Sequence, residues 1–186
     1  MSDSNLSVWA GDRIVCIRIA GRASFTCSVE FKTLVNRLWQ QGYDRFILDL
    51  TRCTLMDSTF LGILSSLGLK LSQGNGGQGS ATIELFKPNA RIADLLDSLG
   101  VAHFFKVLEC DPPAADALTP LNPSDAAMPS DKRTVSQTCL EAHQFLMDIN
   151  PANVAKFKDV ARFLQEDLAR METKSSPTDV TPAPQK

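Results

Sequence analysis

Residues 14–20 (IVCIRIA) are strongly apolar, and Val15, Ile17 and Ile19 share one face at a period of two, which predicts a strand. Residues 6–10 predict a shorter first strand, joined to the second by a hairpin through Ala10-Gly11-Asp12, and Gly21 closes the second strand. Over 28–41 the period lengthens: Phe31, Leu34, Val35 and Leu38 recur at helical spacing, and Gly42 stops the run. The apolar run 46–50 (FILDL) predicts a central parallel strand. Phe60, Ile63, Leu64, Leu67 and Leu71 mark a second helix, which ends in a glycine-rich loop over 73–79. A strand is expected at 81–86. Pro88 then opens a third helix carrying Ile92, Leu95, Leu96 and Leu99 on one face, with Gly100 after its end. A last strand at 104–108 and one short helix at 113–118 complete the order β-β-α-β-α-β-α-β-α. That order predicts an α/β domain over 1–118, with helices on a mainly parallel sheet. Its core is expected to include Ile17, Ile19, Leu34, Leu38, Ile47, Leu64, Leu67, Ile83, Leu95 and Leu96.

The pattern then changes. Residues 111–130 hold five prolines and many alanines, and no apolar period continues after Leu118, so 119–130 read as a linker. In 131–150 the residues Val135, Cys139, Ala142, Leu146 and Ile149 recur at alternating steps of four and three, as in helices that pack on helices. Asn150-Pro151 predicts a break and a restart, with asparagine as N-cap and proline at the first helical position. Val154, Phe157, Ala161, Leu164, Leu168 and Met171 then line a second helix. Residues 131–172 are thus expected to form a helical hairpin, with Phe157, Leu164 and Leu168 at its contact, and 173–186 a disordered, proline-rich tail. Helices of this length are marginal alone in water, so their apolar stripes must be covered. Each other and the flank of the first domain is one arrangement; a second copy of the chain is another.

Composition narrows the function. Lys and Arg total 19 against 21 Asp and Glu, a net charge of −2, which lacks the basic excess of a protein held to nucleic acid by phosphate contacts. No apolar run is long enough to span a bilayer, and the first ten residues do not read as a secretory signal. Five cysteines, an odd number with no CxxC spacing, suit a reducing, cytoplasmic setting better than a disulfide framework. No cofactor and no metal is expected: His143 stands four residues after Cys139, but zinc needs at least three protein ligands. Both histidines, His103 and His143, read as structural or surface residues.

Chemistry concentrates in 46–67 (FILDLTRCTLMDSTFLGILSSL), where a buried strand runs through a polar turn into Asp57-Ser58-Thr59 and an apolar helix. Local chemistry alone reads Asp57, Ser58 and Thr59 as a well-capped helix start, because their side-chain oxygens accept from free backbone N–H groups. A phospho-receiver would need an acidic pair after the first strand and a placed lysine, but Asp12 stands alone and Lys106 falls within a strand. The 74–79 loop lacks the Gly-Lys-(Ser/Thr) that feeds a helix in a phosphate-binding loop. Cys53 has no His or Asn at a recognisable spacing.

The same stretch resembles the STAS domain, the family of sulfate transporters and anti-sigma factor antagonists. Asp49-Leu50 matches the family's strand end, Asp57-Ser58-Thr59-Phe60-Leu61-Gly62 its helix start, and 15–21 (VCIRIAG) its second strand and closing glycine. Phe60 departs from the family's usual glycine, and 22–25 lack an acidic residue often present there. The resemblance covers 6–118 and implies a sheet with helices mainly on one side. It implies a binding module rather than an enzyme, with Ser58 as the phosphorylated residue, Thr59 as the adjacent hydroxyl and runner-up for that role, and Asp57, Ser58, Thr59 and Phe60 as the partner contact. The implied partners are an anti-sigma factor or related serine kinase and a phosphoprotein phosphatase. Two alternatives keep the fold: a scaffold with a structural serine that assembles, as a homo-oligomer or complex, through 131–172, and an accessory module of a transport system. Ser58 is expected to be exposed, and Phe60 to be core if it points inward or an interface anchor if it points out.

Overall fold

The computed structural model describes residues 4–74, 79–109, 118–122 and 131–174. The expected short helix at 113–118 and the loop at 75–78 lie outside those residues, except Leu118. So does the tail from 175 onward.

Strands β1 (Ser4–Gly11) and β2 (Ile14–Ala23) form an antiparallel hairpin about Asp12 and Arg13, both at positive φ (45° and 67°). Two successive left-handed residues match the right-handed twist of the flanking strands. Helix α1 (Phe25–Gln40) follows, and then β3 (Arg45–Met56) and α2 (Ser58–Gln73). Next come β4 (Thr82–Phe86), α3 (Ala90–Leu99), a 3-10 turn (Ala102–Phe104) and β5 (Lys106–Leu108). Among the described residues the sheet has six strands, in the order β5-β4-β3-β2-β1-β6. β2 through β5 pair in parallel and β1 pairs antiparallel on both sides, so the strand containing 46–50 is interior as expected.

Several boundaries move for physical reasons. β2 runs past Gly21 to Ala23, and β3 is twelve residues long rather than five. Thr51, Arg52 and Thr54 look like a turn in sequence but are exposed positions of a continuing strand, with Cys53 and Met56 buried between them. Two register shifts against β2 absorb the irregularity. The third helix begins at Ala90, after Pro88: Asn89 caps it, its side chain accepting from the Ile92 N–H at 3.0 Å. Within the expected linker, Thr119–Leu121 is a sixth strand (β6) on the edge of β1, where Pro120 costs no interior ladder bond.

The core lies on one face of the sheet. Val15, Ile17, Ile19, Phe46 and Leu48 from the strands meet Phe31, Leu34, Phe60, Leu64 and Leu96 from α1, α2 and α3 in one cluster. Of the expected core residues, all but Leu95, which is half-buried, are buried. The opposite face carries ion pairs: Arg18 meets Asp49 at 2.7 Å and stands over the Trp9 ring, and Arg45 meets Glu84 at 2.8 Å.

The chain ends in α4 (Lys132–Ile149), a 3-10 turn (Pro151–Asn153) and α5 (Val154–Lys174). The bend forms as its sequence predicts: the Asn150 side chain accepts from the Ala152 N–H at 3.0 Å, with proline at the first turn. α4 is covered on two sides. Ala142 and Leu146 join the main core, while Leu140 packs with Ala161 and Leu168 of α5 in a separate small cluster. The hairpin's stripes therefore meet both each other and the flank of the sheet domain. Val154, expected on the inner stripe, is exposed.

Candidate functional site

β3 delivers the chain to Asp57 with its backbone still tied to the sheet, the Asp57 N–H donating to the Ala23 carbonyl at 3.0 Å. Asp57 has an extended backbone and is the N-cap of α2. One carboxylate oxygen accepts from the Phe60 N–H at 2.8 Å, and the other from the N–H of Phe25, the first residue of α1, at 2.9 Å. A single carboxylate thus serves two helix N-termini, each of which favours negative charge through its free N–H groups and aligned peptide dipoles. This explains why α1 starts at Phe25, ahead of its apolar stripe: its own N-cap residue, Ser24, makes no side-chain cap bond, and Asp57 supplies one from across the fold.

Ser58 is the first residue of α2, and it is half-buried rather than exposed. Its hydroxyl lies 3.2 Å from Nε2 of His143 on α4. The other ring nitrogen, Nδ1, lies 2.8 Å from the Cys139 carbonyl, which can only accept. In the neutral ring Nδ1 therefore carries the proton, Nε2 accepts, and the Ser58 hydroxyl donates. Burial lowers the His143 pKa below its ordinary value, opposed by the bond to the Cys139 carbonyl and by the Asp57 carboxylate. The ring also faces Phe157 of α5, 5.0 Å between centroids.

The neighbouring expected site residues point away from solvent. Thr59 is buried and hydrogen-bonded to the Cys139 side chain, whose thiol burial raises above its ordinary range. Phe60 is fully buried, its ring 4.8 Å from that of Phe31, and belongs to the core between α1 and α2. Of the four residues named as a contact set, only Asp57 and Ser58 retain appreciable exposure. One turn on, Gly62 lies against α4 so closely that a Cβ there would stand 2.6 Å from the Ala142 carbonyl oxygen. On the α1 side, Lys32 pairs with Glu141.

Asp49, the other acidic residue of the motif, is not part of this group. It is internal to β3 and faces the other side of the sheet, bonded to Arg18 at 2.7 Å and to the Thr51 hydroxyl at 2.6 Å. Burial would raise its pKa, but the bonds from Thr51 and Arg18 outweigh it and hold the carboxyl below the ordinary value. It fixes the β2–β3 pairing.

The residue that sequence reasoning missed is His143. Its spacing from Cys139 places both on one side of α4, but nothing in the sequence says that this side lies over Ser58. Among the described residues no group of three His, Cys, Asp or Glu side chains comes together as a metal ligand set. The arrangement is a hydroxyl at a helix N-terminus, next to a capping carboxylate and against an imidazole acceptor.

A one-faced α/β sheet whose long interior strand leads into an Asp-Ser helix start is the frame that holds this group. The model of the STAS domain family matches residues 6–111, more than half of the chain, and the chain belongs to that family. Among solved structures, a Thermotoga maritima protein assigned as an anti-sigma factor antagonist is 18% identical, over 56% of this chain and 86% of that one, with a TM-score of 0.50. An anti-sigma factor antagonist from Mycobacterium paratuberculosis is 15% identical over 63% and 93%, with a TM-score of 0.49. The Bacillus cell fate determinant SpoIIAA in its phosphorylated form is 16% identical over 56% and 91%, with a TM-score of 0.46. At these identities the likeness is one of fold. No curated protein matches the chain. The α4–α5 hairpin lies outside the residues that the family model covers. Among the described residues no helix is long and apolar enough to cross a membrane.

Proposed function

We propose that the protein is a cytoplasmic binding module of the anti-sigma factor antagonist type. It holds an anti-sigma factor or related serine kinase while Ser58 is bare, releases it once Ser58 is phosphorylated, and is reset by a phosphoprotein phosphatase. It acts by binding and not by catalysis. The observation that carries this reading is the position of Ser58 within a STAS domain: directly after the N-cap Asp57, as the first residue of α2. A phosphoryl group there brings roughly −1.5 to −2 charge. The helix N-terminus tolerates an anion, so the sheet domain keeps its fold. A partner surface fitted to a neutral hydroxyl beside Asp57 does not tolerate it, since a like charge costs desolvation and repulsion. Mass spectrometry of the protein from its own cells tests this: a phosphoryl group at Ser58 is expected, and its absence from Ser58 and Thr59 under every growth condition sinks the switch.

A second reading is favoured by one observation, the hydrogen bond between Ser58 and the buried His143. In that reading the serine is structural, and the chain is a scaffold or transport-accessory module that assembles through its hairpin. Ser58→Ala then lowers stability with no effect on partner binding, whereas a phosphorylated switch makes Ser58→Ala bind constitutively.

A further inference from the structure

The surface through which Ser58 would meet another protein is already in contact with one: the chain's own α4. His143 lies against the Ser58 hydroxyl, Ala142 against Gly62, and Glu141 pairs with Lys32 of α1. Three consecutive residues of one helix thus address the start of α2, the glycine one turn along it and the side of α1. Ala142 and Leu146 are fully buried by this contact, although no part of α4 lies within residues 6–111 matched by the family.

We propose that the α1–α2 face around Ser58 is a helix-docking surface whose resident occupant is α4, and that a partner reaches Ser58 by displacing the hairpin with an amphipathic helix of its own. Only the identity of Ser58 as the partner's contact rests on the function proposed above; the occupancy rests on the contacts themselves. The chemistry of the displacing helix follows from what it replaces. It offers a small residue to Gly62, because even a Cβ on the glycine would collide with the present occupant. It offers a carboxylate to Lys32, and a hydrogen-bond acceptor to the Ser58 hydroxyl.

The hairpin also has packing of its own, beside the contacts that Ala142, Leu146, Ile149 and Phe157 make with the main core. Leu140, Ala161 and Leu168, with Met147 and Leu164, form a cluster separate from the main core, so α4 and α5 keep that packing when α4 lifts. The seam to α1 is an ion pair between two half-exposed side chains, a contact of small net worth. Gly100 marks the tether at the bend. It caps α3 in the left-handed conformation (φ 73°), with the Asn150 side chain packed where a Cβ would project.

The test uses the full chain and a synthetic peptide of residues 131–174 carrying a fluorophore. Ala142→Arg places a charged side chain where α4 meets Gly62 and should lift the hairpin. Two results are expected. Cys139, on the inner side of α4, reacts with N-ethylmaleimide at least tenfold faster than in wild type, while Cys16, Cys27 and Cys53, buried in the sheet domain, stay protected. The peptide binds Ala142→Arg saturably, and wild type at least tenfold more weakly. If Ala142→Arg exposes the three sheet cysteines, Glu141→Lys, which opposes Lys32 on the seam, is read in the same way. Equal Cys139 reactivity with the sheet cysteines protected overturns the proposal. So does peptide binding that is equal in both chains, or absent from both for a peptide that circular dichroism shows to be helical. Neither readout involves a kinase, so an unphosphorylated Ser58 in cells would end the switch and leave the docking surface standing, while equal labelling would do the reverse.

Discussion

The sheet domain and the hairpin bury their apolar residues differently. In the sheet domain Ile19, Phe60 and Leu64 lose all exposure inside one continuous cluster. In the hairpin only Leu140, Ala161 and Leu168 form a cluster of their own, and α5 leaves Phe163 62% exposed. Burial of apolar area is the main stabilising term, at about 25 cal/mol per Å2. One region is therefore held by its bulk, and the other by a few placed contacts on the first. The hairpin covers Ser58, and its hold on the sheet domain rests on Ala142 and Leu146, which are fully buried in the main core.

Two phenylalanines break or sharpen this contrast most strongly. Phe60→Ala empties a site between α1 and α2 and should cost about 3–5 kcal/mol in denaturant melts, whereas Phe163→Ala, on the open side of α5, should stay within about 0.5 kcal/mol of wild type. A large effect at Phe163 would mean that something covers α5. Next in size is Asn153, buried at the bend, whose side-chain amide donates to the Leu99 and Leu146 carbonyls, both at 2.9 Å. Asn153→Ala leaves both acceptors unpaired by the side chain, at about 1–3 kcal/mol. The loss should appear as faster amide exchange in α4 and α5 ahead of β2 and β3.

The smallest expected effect is one of pH. Burial depresses the His143 pKa from its ordinary 6.5, and the groups facing the ring are Ser58 and Asp57 from the start of α2 and Phe157 from α5. The docked ring is neutral, so the undocked chain binds more protons below that value, and docking weakens as pH falls. Protection of α4 should be constant above about pH 6.5, decline beneath it, and become flat in His143→Gln. Protection that rises as pH falls would mean that protonated His143 holds the hairpin down.

Much of the fold was legible because its periods are strong and local. Val15, Ile17 and Ile19 fall on one strand face, 60–71 repeat at helical spacing, and Asn150-Pro151 carries its own cap chemistry. What was illegible depended on pairing across the fold. Thr51 to Thr54 read as a turn until the partners on β2 are known, and residues 119–121 read as linker until β1 supplies an edge. The site divided along the same line. Asp57 as a cap follows from residue type and position, but its second bond, to Phe25, joins residues 32 apart. Gly62 was readable as part of a motif. Its further reason, the close approach of Ala142, and the contact of His143 with Ser58, lie in a helix some 80 residues downstream.

The central claim is that Ser58 lies beneath α4, its hydroxyl held against the buried ring of His143. Amide hydrogen exchange of full-length wild type and Ser58→Asp, compared peptide by peptide, tests it most directly. A carboxylate at position 58 would stand beside the Asp57 carboxylate and against the buried ring of His143. The account predicts faster exchange throughout residues 132–149 in Ser58→Asp, with the strands β2 and β3 exchanging as in wild type. Equal or slower exchange of 132–149 in Ser58→Asp would contradict it, since the hairpin would then accept or clasp the charge it is supposed to shed.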